Sequence, residues 1–381
     1  LAGVGVLFTL GIVIAALAGG YWSLIVGRFV MGVAVGAVSA AVPTYLGEMA
    51  PAQIRGRILA LNQLLITIGL LASYIVNWVF AGAGDWRLMF WMAGIPGVIL
   101  VVACILLPES PVWLIAQGRS DEARRILDTV TVAGGADRVI ARFTAPTSPS
   151  ATDRESEPKH RGMRALMTHS VRPALFVGLA LAALQQFSGI NTILYYAPTI
   201  MEETGLSASN AIFYSVFIGV INVAMTVVST KLVDRLGRRP LLLTSLAGMA
   251  AAIALLGAAF ALDLSPVITL VFMLLYIVSF AIGMGPVFWV LLGEIFPTSE
   301  RAVGSSSGAT VNWTANFVVS LVFLPLLQAV GEAATFWIFA AVCLVGIGFV
   351  AKWVPETRGR HAEEIGEDLH RRWNLTVSST P

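Results

Sequence analysis

Gln185-Gln186-Phe187-Ser188-Gly189-Ile190-Asn191-Thr192-Ile193-Leu194-Tyr195-Tyr196 sets three amides, two hydroxyls and two phenols in the middle of a long apolar run. Residues 175–184 (LFVGLALAAL) precede it and residues 197–201 (APTIM) follow it. The whole segment is therefore long enough to cross a bilayer, which takes roughly 20 apolar residues. Lipid offers no hydrogen bonds, so polar groups at that depth need partners in protein, in a wet cavity or in a ligand. The strip points to a polar interior site, and the rest of the chain supplies its surroundings.

Composition agrees with a membrane setting. Of 381 residues 57% are hydrophobic and only 12% charged, and the mean hydropathy is +0.82; soluble proteins carry about a quarter charged residues. Apolar runs near 2–19, 23–46, 58–81, 87–107, 174–201, 210–233, 241–262, 265–292, 303–328 and 334–353 predict ten spans and an all-α integral membrane protein. Small residues at close spacing, such as Gly27, Gly32 and Gly36, are expected to let helices approach closely. Of the 24 Lys and Arg residues, 22 fall in alternate connections, at 55–57, 119–172, 231–239, 301 and 352–372. Basic residues stay on the cytosolic side, so those connections and the C-terminus are expected in the cytosol. The opposite connections hold Asp85, Glu202, Glu203, Asp263 and Glu332, with Arg87 at a helix start. Cys104 and Cys343 lie in separate apolar runs and suggest neither disulfide nor metal.

The polar segment 108–173 divides the chain. It contains a helix-like patch at 120–130 (SDEARRILDTV) and a Pro, Ser and Glu-rich linker near 145–160. The expected parts are four spans in 1–107, a cytosolic linker at 108–173, six spans in 174–354 and a cytosolic tail at 355–381. Across that division the sequence repeats itself. Glu48-x-x-Pro51-x-x-x-Arg55 returns as Glu294-x-x-Pro297-x-x-x-Arg301, and Pro108-Glu109-Ser110 returns as Pro355-Glu356-Thr357, at offsets of 246 (294 − 48) and 247 (355 − 108). Like motifs at nearly one offset predict two homologous halves in parallel orientation. The same offset puts the counterparts of Asp234-Arg235-Leu236-Gly237-Arg238-Arg239 and of the polar strip before Leu1. The expectation is a twelve-helix protein of which ten helices are present, without a signal peptide at this start.

The chain resembles the sugar porter family of the major facilitator superfamily over nearly its whole length. The resemblance rests on Gly27-Arg28-x-x-x-Gly32-x-x-x-Gly36, Pro43-x-Tyr45-x-x-Glu48-x-x-Pro51-x-x-x-Arg55-Gly56, Pro108-Glu109-Ser110-Pro111, the Gln185 strip, Asp234-x-x-Gly237-Arg238-Arg239, Gly285-Pro286-x-x-Trp289, Glu294-x-x-Pro297-x-x-x-Arg301 and Pro355-Glu356-Thr357. Each alone is weak; together, in order and on the expected membrane side, they are specific. One departure is Val112, where the family usually has Arg before the tryptophan, here Trp113.

A sugar offers hydroxyls that donate and accept, on a ring with an apolar face. Amides match the hydroxyls, having a donor NH₂ and an acceptor oxygen. Gln185, Gln186 and Asn191 are thus the first substrate-binding candidates, close together on what the sequence presents as one helix. The resemblance adds Gln63, Asn222, Trp289, Asn312 and Trp313. For each amide the alternative is a bond to a neighbouring helix. Tyr195, Tyr196, Gly285 and Pro286 are gate candidates, since Gly283-x-Gly285-Pro286 should interrupt its helix. Arg28 is the intramembrane ionisable residue and the coupling candidate; the resemblance leaves proton symport and facilitated diffusion both open, and snorkelling is the plainer reading. A cytosolic charge latch is expected from Glu48, Arg55, Glu109, Asp234, Arg238, Arg239, Glu294, Arg301 and Glu356.

The expected function is uptake of a monosaccharide or related polyol by alternating access in the plasma membrane. The alternatives are a sugar sensor, which usually has a longer tail, and a drug or organic-ion exporter, for which acidic cavity residues would be expected. His160, His169, His361 and His370 are all in cytosolic segments, so no enzyme, cofactor, metal centre or nucleic-acid partner is expected; the partners are sugar, bilayer and possible coupling protons.

Overall fold

The computed structural model of the chain describes residues 2–49, 55–82, 84–130, 140, 166–169, 171–297, 300–360 and 362–377. These form helices α1 (Ala2–Ala16), α2 (Tyr21–Met49), α3 (Arg55–Ala81), α4 (Trp86–Leu106), α5 (Pro111–Ala116) and α6 (Ser120–Val130). After the linker come α7 (Arg172–Phe187), α8 (Ile190–Glu202), α9 (Ala208–Leu236), α10 (Arg238–Ala261), α11 (Pro266–Ile282), α12 (Met284–Glu294), α13 (Arg301–Val330), α14 (Glu332–Trp353) and α15 (Ala362–Val377). Among the described residues there is no strand. Among the described residues nine spans are long and apolar enough to cross a membrane, α7 with α8 and α11 with α12 each counting as one.

The tenth expected span, α1, is shorter than the sequence suggests. Among the described residues it runs Ala2–Ala16 and so ends three residues before the apolar run 2–19 does. Gly19 and Gly20 follow its end and disfavour continuation by about 1 kcal/mol each.

The chain forms two compact units, residues 1–65 with 79–158 and residues 66–78 with 159–381. In the first, α1 packs against α2 and α4. Gly27 makes this possible, since a Cβ there would lie 2.6 Å from the Ala15 nitrogen. Gly32 and Gly36 differ from expectation: a Cβ at either would meet nothing within 4 Å, so neither mediates packing among the described residues. Asp85 caps α4 by accepting from the Arg87 and Leu88 amides at 3.1 and 3.2 Å. The Arg87 guanidinium donates to the Ala18 carbonyl at 3.0 Å and stands 4.3 Å from the centre of the Trp86 ring. Those contacts give Arg87, which stands apart from the other basic residues in sequence, a local structural role.

In the second unit α10 packs against α11 and α14, α7 against α13, and α9 against α8 and α11. Tyr276, Phe288, Phe296, Phe323 and Phe336 fill its core. The tail, taken from sequence only as a short cytosolic segment, contains α15. Its Ile365 and Leu369 are buried, and Trp373 meets Phe176 edge-on at 5.2 Å.

Candidate functional site

The polar strip is a broken helix. Gly189 has φ +93°, a left-handed conformation suited to glycine. It ends α7 at Phe187 and starts α8 at Ile190. The single helix expected from sequence is therefore corrected to two segments separated by Ser188 and Gly189. Gln185 and Gln186 close one segment, and Asn191 opens the other.

Amides from three helices converge at this break, with Gln185, Gln186 and Asn312 buried and Asn191 half-buried. Gln186 Nε2 donates to Asn312 Oδ1 at 3.1 Å and to Gln185 Oε1 at 3.5 Å. Asn191 Nδ2 donates to Gln186 Oε1 at 2.6 Å. Asn312 Nδ2, from α13, donates to Gln185 Oε1 at 2.7 Å and to the Ala182 carbonyl at 3.2 Å. Gln185 Nε2 reaches the second broken span, donating to the Met284 and Gly285 carbonyls at 3.0 and 3.3 Å. Each amide has more donor and acceptor capacity than one partner uses. A molecule bearing several hydroxyls can exchange amide–amide bonds for amide–hydroxyl bonds here without leaving charge uncompensated.

The second break falls where Gly283-x-Gly285-Pro286 predicts it, between α11 and α12. Pro286 brings no N–H to the Ile282 carbonyl four residues back; the Ser229 hydroxyl of α9 donates to that carbonyl at 2.7 Å instead. Ser245 of α10 accepts from the Met284 amide at 2.9 Å and donates to the Ser279 carbonyl at 2.7 Å. At the first break Tyr276 donates to the Ser188 carbonyl at 2.8 Å. Neighbouring hydroxyls thus satisfy backbone groups that lipid could not.

Farther along α8, the Tyr195 hydroxyl accepts from Asn316 Nδ2 at 3.2 Å, and Ser320 Oγ donates to Asn316 Oδ1 at 3.1 Å. The Tyr196 hydroxyl donates to the Ser320 carbonyl at 3.0 Å. Trp289 and Trp313 are exposed, at 39% and 41%, and thus offer ring surface. Asn222 is buried, and among the described residues its amide makes no hydrogen bond. In the first unit Gln63 is half-buried on α3, and Arg28 is exposed on α2.

Of the residues expected in the charge latch, Arg238, Arg239, Glu294 and Glu356 come together in the second unit. Arg238 Nη2 and Nε donate to the two Glu294 oxygens at 2.9 and 3.2 Å, a bidentate pair. The Thr357 hydroxyl donates to Glu294 at 2.6 Å. Glu356 accepts four backbone amides, from Arg238, Arg239, Thr357 and Arg358, at 2.9 to 3.1 Å. Burial raises the Glu356 pKa, but those four donors together outweigh it and hold the carboxyl below its ordinary value. Gly237, with φ +91°, is required here because a Cβ would lie 2.7 Å from a Glu356 oxygen. Arg239 donates to the Ala351 carbonyl at 2.6 Å. Arg301 and Glu109 are exposed and form no ion pair among the described residues. The side chains of Glu48, Arg55 and Asp234 lie outside the described residues.

Sequence reasoning missed Ser229, Ser245, Asn316 and Tyr74. Ser229 and Ser245 occur within apolar runs as ordinary small residues, and only the position of the breaks marks them. Tyr74 donates from α3 to the Leu194 carbonyl; the signal for it was Pro198, which leaves that carbonyl without its helical donor.

A family model described as "Sugar (and other) transporter" matches residues 1–369. The chain is 39% identical over 368 residues to the putative metabolite transport protein YwtG of Bacillus subtilis, covering 95% of this chain and 78% of that protein. It is 36% identical over 374 residues to a D-xylose transporter of Levilactobacillus brevis, covering 96% and 80%. Among solved structures it matches the proton:xylose symporter XylE bound to 6-bromo-6-deoxy-D-glucose, with a TM-score of 0.78, 31% identity and coverage of 97% of this chain and 82% of that one.

Proposed function

Because the chain belongs to the sugar porter family of the major facilitator superfamily, whose members are membrane transporters rather than enzymes, we propose that it carries a monosaccharide across the membrane by alternating access. The observation that carries this reading is the joined amide cluster of Gln185, Gln186, Asn191 and Asn312 at a helix break. Uncharged, bifunctional amides suit a neutral polyhydroxylated substrate; an organic cation would call for carboxylates. Asn222 and the Trp289 and Trp313 ring faces complete the proposed substrate set of the second unit, and Gln63 is the candidate carried by the first. Tyr195 and Tyr196, with the Gly285-Pro286 break, serve as the moving gate. Glu294–Arg238 and the Glu356 cradle hold one end of the second unit, and their release accompanies the change of access.

The finer assignments follow the relatives. XylE is described as a proton:xylose symporter and the Levilactobacillus relative as a D-xylose transporter, so a pentose or hexose moved with protons is the reading adopted. Arg28 is the coupling residue in that reading. The location is the plasma membrane, with the C-terminus in the cytosol by the charge rule. The test is uptake of labelled D-xylose and D-glucose into proteoliposomes, with and without an imposed proton gradient. Saturable uptake driven by the gradient is expected. Uptake that ignores the gradient overturns the symport assignment, and no saturable uptake of any monosaccharide overturns the transport reading.

A further inference from the structure

Helix α8 contains a carbonyl that lacks its ordinary helical donor. Pro198 lies inside the helix and Tyr196 departs from helical geometry, at φ −109° and ψ 16°. Proline has no N–H, so the Leu194 carbonyl loses its ordinary partner four residues on. An unpartnered carbonyl in a dry apolar setting is costly. The Tyr74 hydroxyl of α3 fills the gap.

The phenol is held in place. Leu71, Tyr74 and Trp78 lie on one face of α3 by helical spacing. A Cβ at Gly219 of α9 would sit 2.9 Å from Tyr74 Cδ2 and 3.0 Å from Leu71 Cα, so the helices approach closely only because that position is glycine. Trp78 packs on Phe213 at 5.2 Å between ring centres. Tyr74 itself is 6% exposed.

We propose that Tyr74 is a positioning residue for transport, a tether that replaces the N–H missing at Pro198 and holds the Tyr195–Tyr196 part of α8 against α3. The Leu194 carbonyl has two sources of a donor, the phenol while α8 lies against α3 and water once it moves away. The tether therefore sets how readily this part of α8 leaves. It rests on the transport reading above and adds to it a residue outside the amide cluster and the gate.

Tyr74→Phe removes only the hydroxyl and keeps the ring on Gly219. Hydrogen exchange across residues 190–202 is measured in wild type, Tyr74→Phe, Pro198→Ala and the double variant, with sugar binding and uptake in parallel. Loss of one hydrogen bond is expected to speed exchange there by about tenfold, with 172–187 unchanged. Binding of labelled D-xylose stays within about twofold of wild type while turnover shifts, since the phenol is not placed among the substrate amides. Pro198→Ala restores the backbone donor, so adding Tyr74→Phe to it changes exchange by less than about twofold. Unchanged exchange in Tyr74→Phe, or an equal acceleration with and without Pro198, overturns the tether. If wild type neither binds nor moves a sugar, the transport reading fails while the exchange comparison still decides the tether.

Discussion

Asn222 and Asn312 are both buried asparagines on long helices, yet they differ in what they bond. Asn312 joins Gln185, Gln186 and the Ala182 carbonyl, so Asn312→Ala removes three hydrogen bonds from a buried cluster, leaving Gln186 Nε2 and Gln185 Oε1 only their mutual contact at 3.5 Å, and is expected to cost about 1–3 kcal/mol of stability. Asn222, whose amide makes no bond among the described residues, is expected to cost under about 1 kcal/mol on conversion to Ala yet to weaken sugar binding. Thermal unfolding beside equilibrium binding separates the two; equal thermal losses would contradict the distinction. At the other end of the unit, Glu356 titrates below its ordinary value. Its contribution is present above the unfolded carboxyl pKa of about 4.3 and is lost as pH falls through the lower folded value. Glu356→Gln should therefore lower the unfolding midpoint at neutral pH, and the gap to wild type should close as the medium is acidified below about pH 4. A gap that persists in acid would place its origin elsewhere. At this scale the sequence was informative wherever residue type alone carried the chemistry, as with Gln185, Gln186 and Asn191. It was silent on Ser229, whose role depends on the Ile282 carbonyl lacking its helical donor, and on Asn316, whose partners Tyr195 and Ser320 are brought to it only by the fold.

Spans are legible from apolar length, and breaks in spans less so. The α11/α12 interruption was announced by two glycines and a proline within four residues, while the α7/α8 interruption hangs on one residue, Gly189, inside an otherwise continuous pattern. Gly189→Ala forces a left-handed conformation on a residue with a Cβ, costing about 1–2 kcal/mol, and sets that Cβ 2.9 Å from the Phe339 ring. The expected result is a lower unfolding midpoint and loss of sugar binding, because Asn191 is reoriented relative to Gln186. Ser229→Ala removes the donor to the Ile282 carbonyl and is expected to destabilise the second break by about 1–3 kcal/mol, read as a lower unfolding midpoint. An unaltered midpoint would mean that another group supplies the bond. The α15 helix went unread because its stabilisation is tertiary: Ile365, Leu369 and Trp373 find their partners on α7 and α14 rather than in their own segment.

For the molecule as a whole, apolar runs and charge asymmetry were enough to identify a multi-pass membrane protein, and the internal repeat with its ordered motifs was enough to identify the family. What stayed hidden was which charges meet. The sequence presented Glu294 with Arg301 in one motif; the fold pairs Glu294 with Arg238, from another helix. Exchanging Glu294 and Arg238 for each other's side chains should keep more activity than either single replacement, and a double variant no better than the singles would remove the pair from the mechanism. The central claim is that the amide cluster at the α7/α8 break recognises a sugar. Its most direct test is equilibrium binding of labelled D-xylose and D-glucose to the purified protein and to the folded variants Gln186→Ala and Asn191→Ala. The account predicts saturable binding by wild type and a loss of about tenfold or more in each variant, as expected when hydroxyl partners are removed. Wild-type affinity in both folded variants would contradict it.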